Sequence, residues 1–220
     1  MSTLSCHDLR VRRADSFLLD VLHLELEAGS VTAVCGPNGS GKSTLLLACA
    51  GLIDLDGGEV HFQGQPYHRG RAPAPASQRQ RLVLVHQDPY LLRGTVRRNL
   101  SWGLRLRRVS KVERRQRSAE VLSALGIEDL TLRDVGCLSG GQKTLVAVAR
   151  ALVLHPEVLI LDEVTRDLDE DRRLAVMAAF GEQAKRGAAI LLATHDREIV
   201  EQVANQCVAL EDGRITNREV

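Results

Sequence analysis

The sequence lacks the long apolar run that a membrane-spanning helix requires. None of its hydrophobic stretches approaches the roughly 18 residues that mark such a helix, and its start lacks the basic-then-apolar order of a secretory signal. We therefore expect a protein that stays in the cytosol. With 220 residues, 44% of them hydrophobic and 26% charged, the composition is typical of a globular chain with one α/β domain.

Cysteines are few, and their spacing indicates no metal or disulfide framework. The five thiols form no Cys-x-x-Cys pair and have no histidine cluster beside them in the sequence, so zinc and disulfide sites are both weakly indicated. We expect reduced structural thiols instead. They are Cys6, Cys35, Cys49, Cys137 and Cys207.

The chain also lacks a strong net charge. A formal charge of +1 gives no sign of a nucleic-acid partner, because counterion release requires a concentrated basic surface, and none is expected. Between Arg93 and Arg117, however, nearly every ionisable side chain is Arg or Lys, with Glu113 the exception. Two interpretations stay open for this basic segment: a solvated helical face, or a surface that faces phosphates, lipid head groups or an acidic partner loop.

Hydrophobic periodicity alternates between strand and helix and predicts an α/β core. The pattern of residues 57–67 predicts an antiparallel pair of strands. Residues 66–81 are predicted to form a surface connector, and Asp212-Gly213 is predicted to form a hairpin turn. From about Tyr90 to Val135 strand signals give way to helical spacing. The remaining strands are predicted at Leu4–Val11, Val21–Leu26, Val31–Cys35, Leu82–Val85, Val158–Leu161, Ala189–Ala193 and Cys207–Leu210.

A glycine-rich segment between a predicted strand and a predicted helix fits the pattern GxxxxGK[ST]. Its glycines let successive backbone N–H groups curl around an anion, and the following helix adds its positive end. Lys42 is expected to reach the β- and γ-phosphates of ATP, and the Ser43 hydroxyl to bind Mg²⁺. A turn without a ligand is the alternative. The predicted ATP contacts are Gly36, Pro37, Asn38, Gly39, Ser40, Gly41, Lys42, Ser43 and Thr44.

Two carboxylates follow the buried strand predicted at Val158–Leu161. Open α/β sheets place ligands at the carboxyl ends of their strands, which is where Asp162 and Glu163 come. We expect Asp162 to hold Mg²⁺ through water and Glu163 to polarise the attacking water. A carboxylate directly after the magnesium aspartate indicates hydrolysis rather than phosphoryl transfer to a substrate, so ATP and Mg²⁺ are the expected ligands.

The pentapeptide Leu138–Gln142, followed by a helical run, is where the sequence resembles the ATP-binding cassette (ABC) family. Ser139 begins a helix, so its hydroxyl and the glycine amides form a second anion site without a lysine. The resemblance implies that this site, with Ser139, Gly140, Gly141 and Gln142, completes the ATP pocket of a second subunit. Two head-to-tail copies would then hold two ATP molecules.

Further positions match the same family. Gln87 resembles the glutamine that contacts Mg²⁺ and the attacking water, and His195 resembles the switch histidine at the γ-phosphate. Leu168-Asp169 resembles the end of the loop that joins the two subunits. We therefore take the predicted catalytic residues to be Glu163, His195 and Gln87, and the predicted Mg²⁺ contacts to be Ser43, Gln87 and Asp162.

The family's fold is then also expected. It is a P-loop NTPase core with a mixed central sheet, an antiparallel β subdomain and an inserted α-helical subdomain. For this chain the resemblance implies one domain over residues 1–220, with residues 1–89 and 136–220 forming the core and β subdomain. Residues 90–135 would form the helical subdomain.

Three segments depart from the family's pattern, one of them Lys143-Thr144, which follows the pentapeptide where Gln or Arg pairs are common. Arg12-Arg13-Ala14 stands where an aromatic residue often stacks on adenine, so Arg13 is the candidate for that contact. Arg166 and Asp167 replace two small residues where the subunits meet. This charge would either form a pair across the interface or weaken closure driven by ATP.

A single cassette without membrane spans resembles the separate ATPase subunit of a membrane transporter, peripheral at the inner face of the cell membrane. Permease subunits are expected to dock after Gln87, where Tyr90, Leu91 and Leu92 either meet them or join the core. The stretch 90–107 looks like importer ATPases, including those for tungstate and related oxyanions, which implies a solute-binding protein. No regulatory domain is expected beyond Val220. The alternatives are an exporter subunit, a cassette acting on nucleic acid and a regulatory ATP-binding module; a small-molecule kinase is disfavoured.

Overall fold

The computed structural model describes residues 2–13 and 16–219, without the side chains of residues 13, 16, 17 and 217–219. Its strands are β1 (Ser2–Arg13), β2 (Ser16–Glu27), β3 (Val31–Cys35), β4 (Gly57–Phe62), β5 (Gln65–Arg69), β6 (Leu82–Val85), β7 (Val158–Asp162), β8 (Ala189–Ala193), β9 (Gln206–Glu211) and β10 (Arg214–Glu219). Its α-helices are α1 (Lys42–Cys49), α2 (Ala76–Arg79), α3 (Val96–Leu106), α4 (Lys111–Ala124), α5 (Gly140–Leu152), α6 (Glu170–Lys185) and α7 (Arg197–Val203).

The strands form two sheets. One is antiparallel in the order β2-β1-β4-β5, and the other is six-stranded in the order β10-β9-β3-β8-β7-β6. In the second sheet β3 runs parallel to β8 and β9, β7 runs parallel to β8, and β10 closes the edge as an antiparallel hairpin with β9. The mixed α/β fold predicted from the sequence is confirmed, as is the hairpin turn at Asp212-Gly213.

The chain divides into two compact units. Unit 1 comprises Met1–Leu84, Pro156–Glu163 and Ala184–Val220, and unit 2 comprises Val85–His155 and Val164–Gln183. The single domain with a helical part at residues 90–135 stays a prediction.

Unit 1 is held together by the central strands. All five residues of β7 and all five of β8 are buried, because parallel strands covered on both faces need continuous apolar runs rather than alternation. The inner face of the antiparallel sheet adds residues such as Leu4, Val60 and Phe62, each at most 1% exposed. This packing fixes the carboxyl ends of β3, β7 and β8, which carry the predicted site.

Unit 2 is helical, as the loss of strand periodicity predicts. Thr95 caps α3 and Ser110 caps α4 by accepting backbone hydrogen bonds, and α3 packs against both α4 and α5. The core of this unit includes Leu100, Leu104 and Val148, all fully buried. Over the part of the chain described here, no helix combines the length and the apolar character that crossing a bilayer demands.

The sequence predicts a surface connector at residues 66–81; the structure confirms an exposed connector over most of this segment and corrects its first residues. Its first residues belong to β5, and Tyr67 and His68 are only 3% and 5% exposed. The Tyr67 hydroxyl donates to the carbonyl of Ala50 at 2.7 Å, and Nε2 of His68 lies 2.7 Å from the carbonyl oxygen of Ile53. The correction is confined to this end of the segment, where polar side chains are buried because they find backbone partners.

We predict that the hydroxyl of Tyr67 stabilises the fold in a pH-dependent way. Burial raises the pKa of Tyr67 to about 12, whereas an unfolded tyrosine titrates near about 10. The stabilisation is therefore fully present below about pH 10 and is lost as the pH rises through about 12. Tyr67→Phe should cost about 1 kcal/mol at neutral pH, because the hydrogen bond to Ala50 is lost. Urea unfolding of both proteins at about pH 8 and about pH 11 would measure this: the difference should be smaller at the higher pH, and an unchanged midpoint at about pH 8 would contradict it.

Candidate functional site

The glycine-rich loop leaves β3 through a glycine that no other residue can replace. Gly36 has a φ of 153°, and a Cβ atom there would lie 2.2 Å from the carbonyl oxygen of Leu210. The loop therefore lies directly on the end of β9. It is also tied to the hairpin turn, because the amide of Gly213 donates to the carbonyl of Ser40 at 2.9 Å.

The helix that follows presents its start without a capping side chain. Gly41 occupies the N-cap of α1, and no side chain accepts from the first N–H groups. Such a helix start has unsatisfied donors and a positive dipole end, which together attract anions. The loop and helix thus fit a phosphate group without any rearrangement of a cap.

Lys42 is the cation of this loop. Its side chain is only 6% exposed, and Nζ donates to the carbonyls of Gly36 at 2.8 Å and Pro37 at 3.0 Å. The same Nζ lies 4.0 Å from Oε1 of Glu163. Lys42 therefore links the glycine-rich loop to the carboxylate that follows β7.

The two predicted carboxylates lie at the end of β7, as expected. Asp162 is the last residue of the strand and is 7% exposed. Glu163 has a φ of 47°, a left-handed conformation that is uncommon away from glycine and that clusters at functional sites. Its amide donates to the carbonyl of Ala193 at 3.0 Å, which holds this conformation against the neighbouring strand β8.

His195 follows β8 and faces the same carboxylate. Its Nδ1 lies 3.4 Å from Oε2 of Glu163, and the imidazole is 55% exposed while the carboxylate is 9% exposed. A single, largely covered carboxylate thus lies near a lysine on one side and a histidine on the other. That arrangement can orient a water molecule and accept its proton.

Unit 1 brings together much of the predicted site: the glycine-rich loop, Asp162, Glu163 and His195. Gln87 and the pentapeptide Leu138–Gln142 belong to unit 2. The predicted adenine contact of Arg13 falls on a side chain outside the described residues.

The pentapeptide forms the start of α5 as predicted. Ser139 is the N-cap, and its hydroxyl accepts from the amide of Gln142 at 3.3 Å while the Gln142 side chain accepts from the Ser139 amide at 3.0 Å. This reciprocal pair is a capping box. A serine hydroxyl that accepts a hydrogen bond can also donate one. Ser139 can therefore still donate to an anion at the start of the helix.

One contact in unit 2 was missed by the sequence analysis. A Cβ atom on Gly141 would lie 2.9 Å from the carbonyl oxygen of Asp167, so the segment after Glu163 lies against the start of α5. This segment ends at Asp169, whose carboxylate accepts from the amide of Arg172 at 3.0 Å and caps α6. A contact between residues so far apart in the chain leaves no local sequence signal.

The segment predicted to meet a membrane partner lies at the surface of unit 2. Tyr90 is 76% exposed, and Leu91 and Leu92 are half-buried, so Tyr90 is not part of a core. Trp102 and Leu106, four residues apart on α3, are also exposed and share one face of the helix.

The basic segment lines a cavity of about 780 Å³ between α3 and α4. Its wall includes Arg97, Arg105, Lys111, Arg114 and Arg115.

Comparison with known proteins gives consistent matches. Residues 19–166 match the sequence profile of a family described as ABC transporter. The chain is 38% identical over 216 residues to the Fe(3+) ions import ATP-binding protein FbpC of Streptomyces coelicolor, covering 97% of this chain and 61% of FbpC. It is 34% identical to the tungstate uptake system ATP-binding protein TupC of Peptoclostridium acidaminophilum, covering 94% of both chains.

The fold also matches solved structures. CbiO1 of Clostridium perfringens, described as part of the ABC transporter complex cbiONQ, superposes with a TM-score of 0.85 at 32% identity, covering 99% of this chain and 88% of that one.

We predict that the two glycines at the start of α5 respond differently to an added methyl group. Gly141→Ala should destabilise the chain by about 1 to 3 kcal/mol, because the methyl group would be forced against the Asp167 carbonyl. Gly140→Ala is the matched control: its Cβ would meet nothing within 4 Å, and alanine favours a helix by about 1 kcal/mol over glycine. Urea unfolding of both variants measures the difference, and equal midpoints would contradict the contact.

Proposed function

Because this chain belongs to the ABC transporter family and is an ABC-type ATPase, we propose that it powers solute import as the ATP-hydrolysing subunit of a membrane transporter. The observation that carries the ATP-hydrolysing part of the proposal is the position of one carboxylate, Glu163, 9% exposed, between Lys42 and His195. A carboxylate in this position supports the role of general base, beside a loop that fits a phosphate chain.

Each predicted site residue in unit 1 has a role in this proposal. The N–H groups from Gly36 to Thr44 surround the phosphates, and Lys42 neutralises charge on the β- and γ-phosphates. The Ser43 hydroxyl, and the Asp162 carboxylate through water, would hold Mg²⁺, which prefers oxygen ligands. When bound, Mg²⁺ would neutralise charge that develops on the phosphate oxygens.

Glu163 acts as the general base. It takes a proton from water as the water oxygen attacks the γ-phosphorus atom, and the bond from that phosphorus to the bridging oxygen of ADP breaks. His195, 3.4 Å from the carboxylate, orients this group and reaches towards the γ-phosphate. Gln87 in unit 2 is proposed to contact Mg²⁺ and the same water.

The pentapeptide completes the pocket of a second copy of the chain. Ser139, Gly140, Gly141 and Gln142 offer a helix start and a hydroxyl but no lysine, which suits the outer side of a γ-phosphate already held by Lys42 of the other copy. The working unit is therefore a head-to-tail dimer with two ATP molecules between its copies. Arg13 is proposed to stack on adenine.

Permease subunits are the proposed membrane partners. CbiO1 is described as part of a multi-subunit transporter complex, which supports a comparable assembly here, at the inner face of the membrane and with a solute-binding protein outside. The chain spans 61% of FbpC and 94% of TupC. TupC is described as the ATP-binding protein of a tungstate uptake system, so an oxyanion such as tungstate is the proposed cargo.

We predict that Glu163→Gln lowers ATP turnover by about 100-fold to 10,000-fold, because the general base is lost. Its affinity for ATP should stay within a factor of about 3 of wild type, since the amide keeps the shape of the carboxylate and Lys42 remains. Phosphate release and equilibrium ATP binding by the transporter complex measure the two quantities. Glu201→Gln, at an exposed position on α7, is the matched control and should turn over normally. Full turnover by Glu163→Gln would reject the assigned role.

The exposed face of unit 2 gives a second prediction. Tyr90→Asp and Trp102→Asp should each reduce recovery of the permease with the tagged chain by about 10-fold or more, because a charge would be buried in the docking contact. Val112→Asp, at an apolar position on α4 that is 77% exposed, is the control and should recover the permease normally.

Uptake of labelled tungstate by the recovered transporter then tests the cargo. Uptake of a different solute, without uptake of tungstate, would replace tungstate as the proposed cargo.

A further inference from the structure

Two thiols meet at the root of the glycine-rich loop. Cys35 is the last residue of β3, and Cys207 lies on the neighbouring parallel strand β9. Their sulfur atoms are 3.1 Å apart, and both residues are half-buried rather than sealed in the core. The residue after Cys35 is Gly36, the first of the loop.

We propose that Cys35 and Cys207 form a redox modification site, at which an intramolecular disulfide weakens ATP binding. A disulfide bond is about 2.05 Å long, so the sulfur atoms need to approach by only about 1 Å. β3 and β9 pair Cys35 with Ala209 and Ala33 with Cys207, so the two thiols are diagonal neighbours on the same face of the sheet. This fixed placement removes most of the entropy cost of bringing two thiols together.

Hydrogen peroxide is the oxidant in this proposal. One thiol attacks the peroxide, so that a sulfur–oxygen bond forms, the oxygen–oxygen bond breaks and water leaves with a sulfenic acid on that sulfur. The second thiol then attacks this sulfur, the sulfur–sulfur bond forms and a second water leaves. Two thiols and one peroxide thus give one disulfide and two waters.

The disulfide is expected to change the conformation of the glycine-rich loop, because close contacts on both sides prevent the loop from absorbing a shift of Cys35. Gly36 already lies against the carbonyl of Leu210 on β9, and Ser40 is tied to Gly213. A pull on Cys35 towards β9 is therefore passed to the backbone that holds Lys42. We expect ATP affinity to fall by about 10-fold, since a misplacement of about 1 Å costs up to about 100-fold in reacting sites.

A second thiol pair serves as an internal control. Cys6 and Cys49 are 3.4 Å apart, but they are at most 1% exposed. The hydrogen bond to Cys49 and burial raise the pKa of Cys6 well above its ordinary value. Oxidation requires the thiolate and access to the oxidant, so this pair should react much more slowly than Cys35 and Cys207.

The experiment uses the full chain with Cys137→Ser, which removes the exposed thiol and with it linkage between molecules. After hydrogen peroxide and alkylation of remaining thiols, tryptic peptides are analysed without reduction. All four remaining cysteines fall on separate peptides. Peptide 14–42 should be joined to 198–214, while 1–10 and 43–69 should stay separate. Binding of a fluorescent ATP analogue should fall by about 10-fold and return with dithiothreitol.

The matched variant adds Cys207→Ser to the same background. It should bind the analogue normally and lose nothing on oxidation. The proposal is overturned if peptides 14–42 and 198–214 are not joined, or if peroxide weakens binding equally in both proteins. Failure of the reduced protein to bind the analogue would instead count against the proposed function, so the two outcomes are distinguishable.

Discussion

The close approach of Gly36 to the carbonyl of Leu210 is the constraint on which the rest of the site depends. It exists because β3 and β9 are adjacent parallel strands, so the chain leaving β3 must turn over the end of its neighbour. That turn starts the glycine-rich loop, and the loop in turn places Lys42 beside the carboxylate after β7. The core strands therefore position the site, rather than any property of the loop alone.

The sequence predicts the parts of this arrangement that depend on local patterns. Val31–Cys35 and Ala189–Ala193 are strands with the predicted bounds, since continuous apolar runs leave few alternatives. The sequence does not predict features that depend on contacts between residues far apart in the chain. The antiparallel pair predicted at residues 57–67 is confirmed, but His68 looks like a loop residue because its ring nitrogens find backbone partners only in the folded core. The 3.1 Å approach of Cys35 to Cys207 depends on strand order, which thiol spacing does not encode.

The candidate site shows the same division. A pattern of nine residues identifies the loop, and two carboxylates after an apolar strand identify Asp162 and Glu163. The left-handed backbone of Glu163 and its contacts with Lys42 and His195 come from the folding of three strand ends onto one another. The role of Arg166 and Asp167 at a subunit interface stays a prediction. Within unit 2, the backbone carbonyl of Asp167 lies against Gly141, which the sequence does not reveal.

The central claim is that the loop and the pentapeptide are two halves of one site, contributed by different copies. Sedimentation of Glu163→Gln with ATP and Mg²⁺ tests this most directly, against the same protein carrying Ser139→Arg in addition. The account predicts that the single variant sediments at twice the mass of the 24.1 kDa chain. The double variant should bind ATP and remain a monomer. A single variant that stays monomeric with ATP bound, or a double variant that dimerises, would contradict the account.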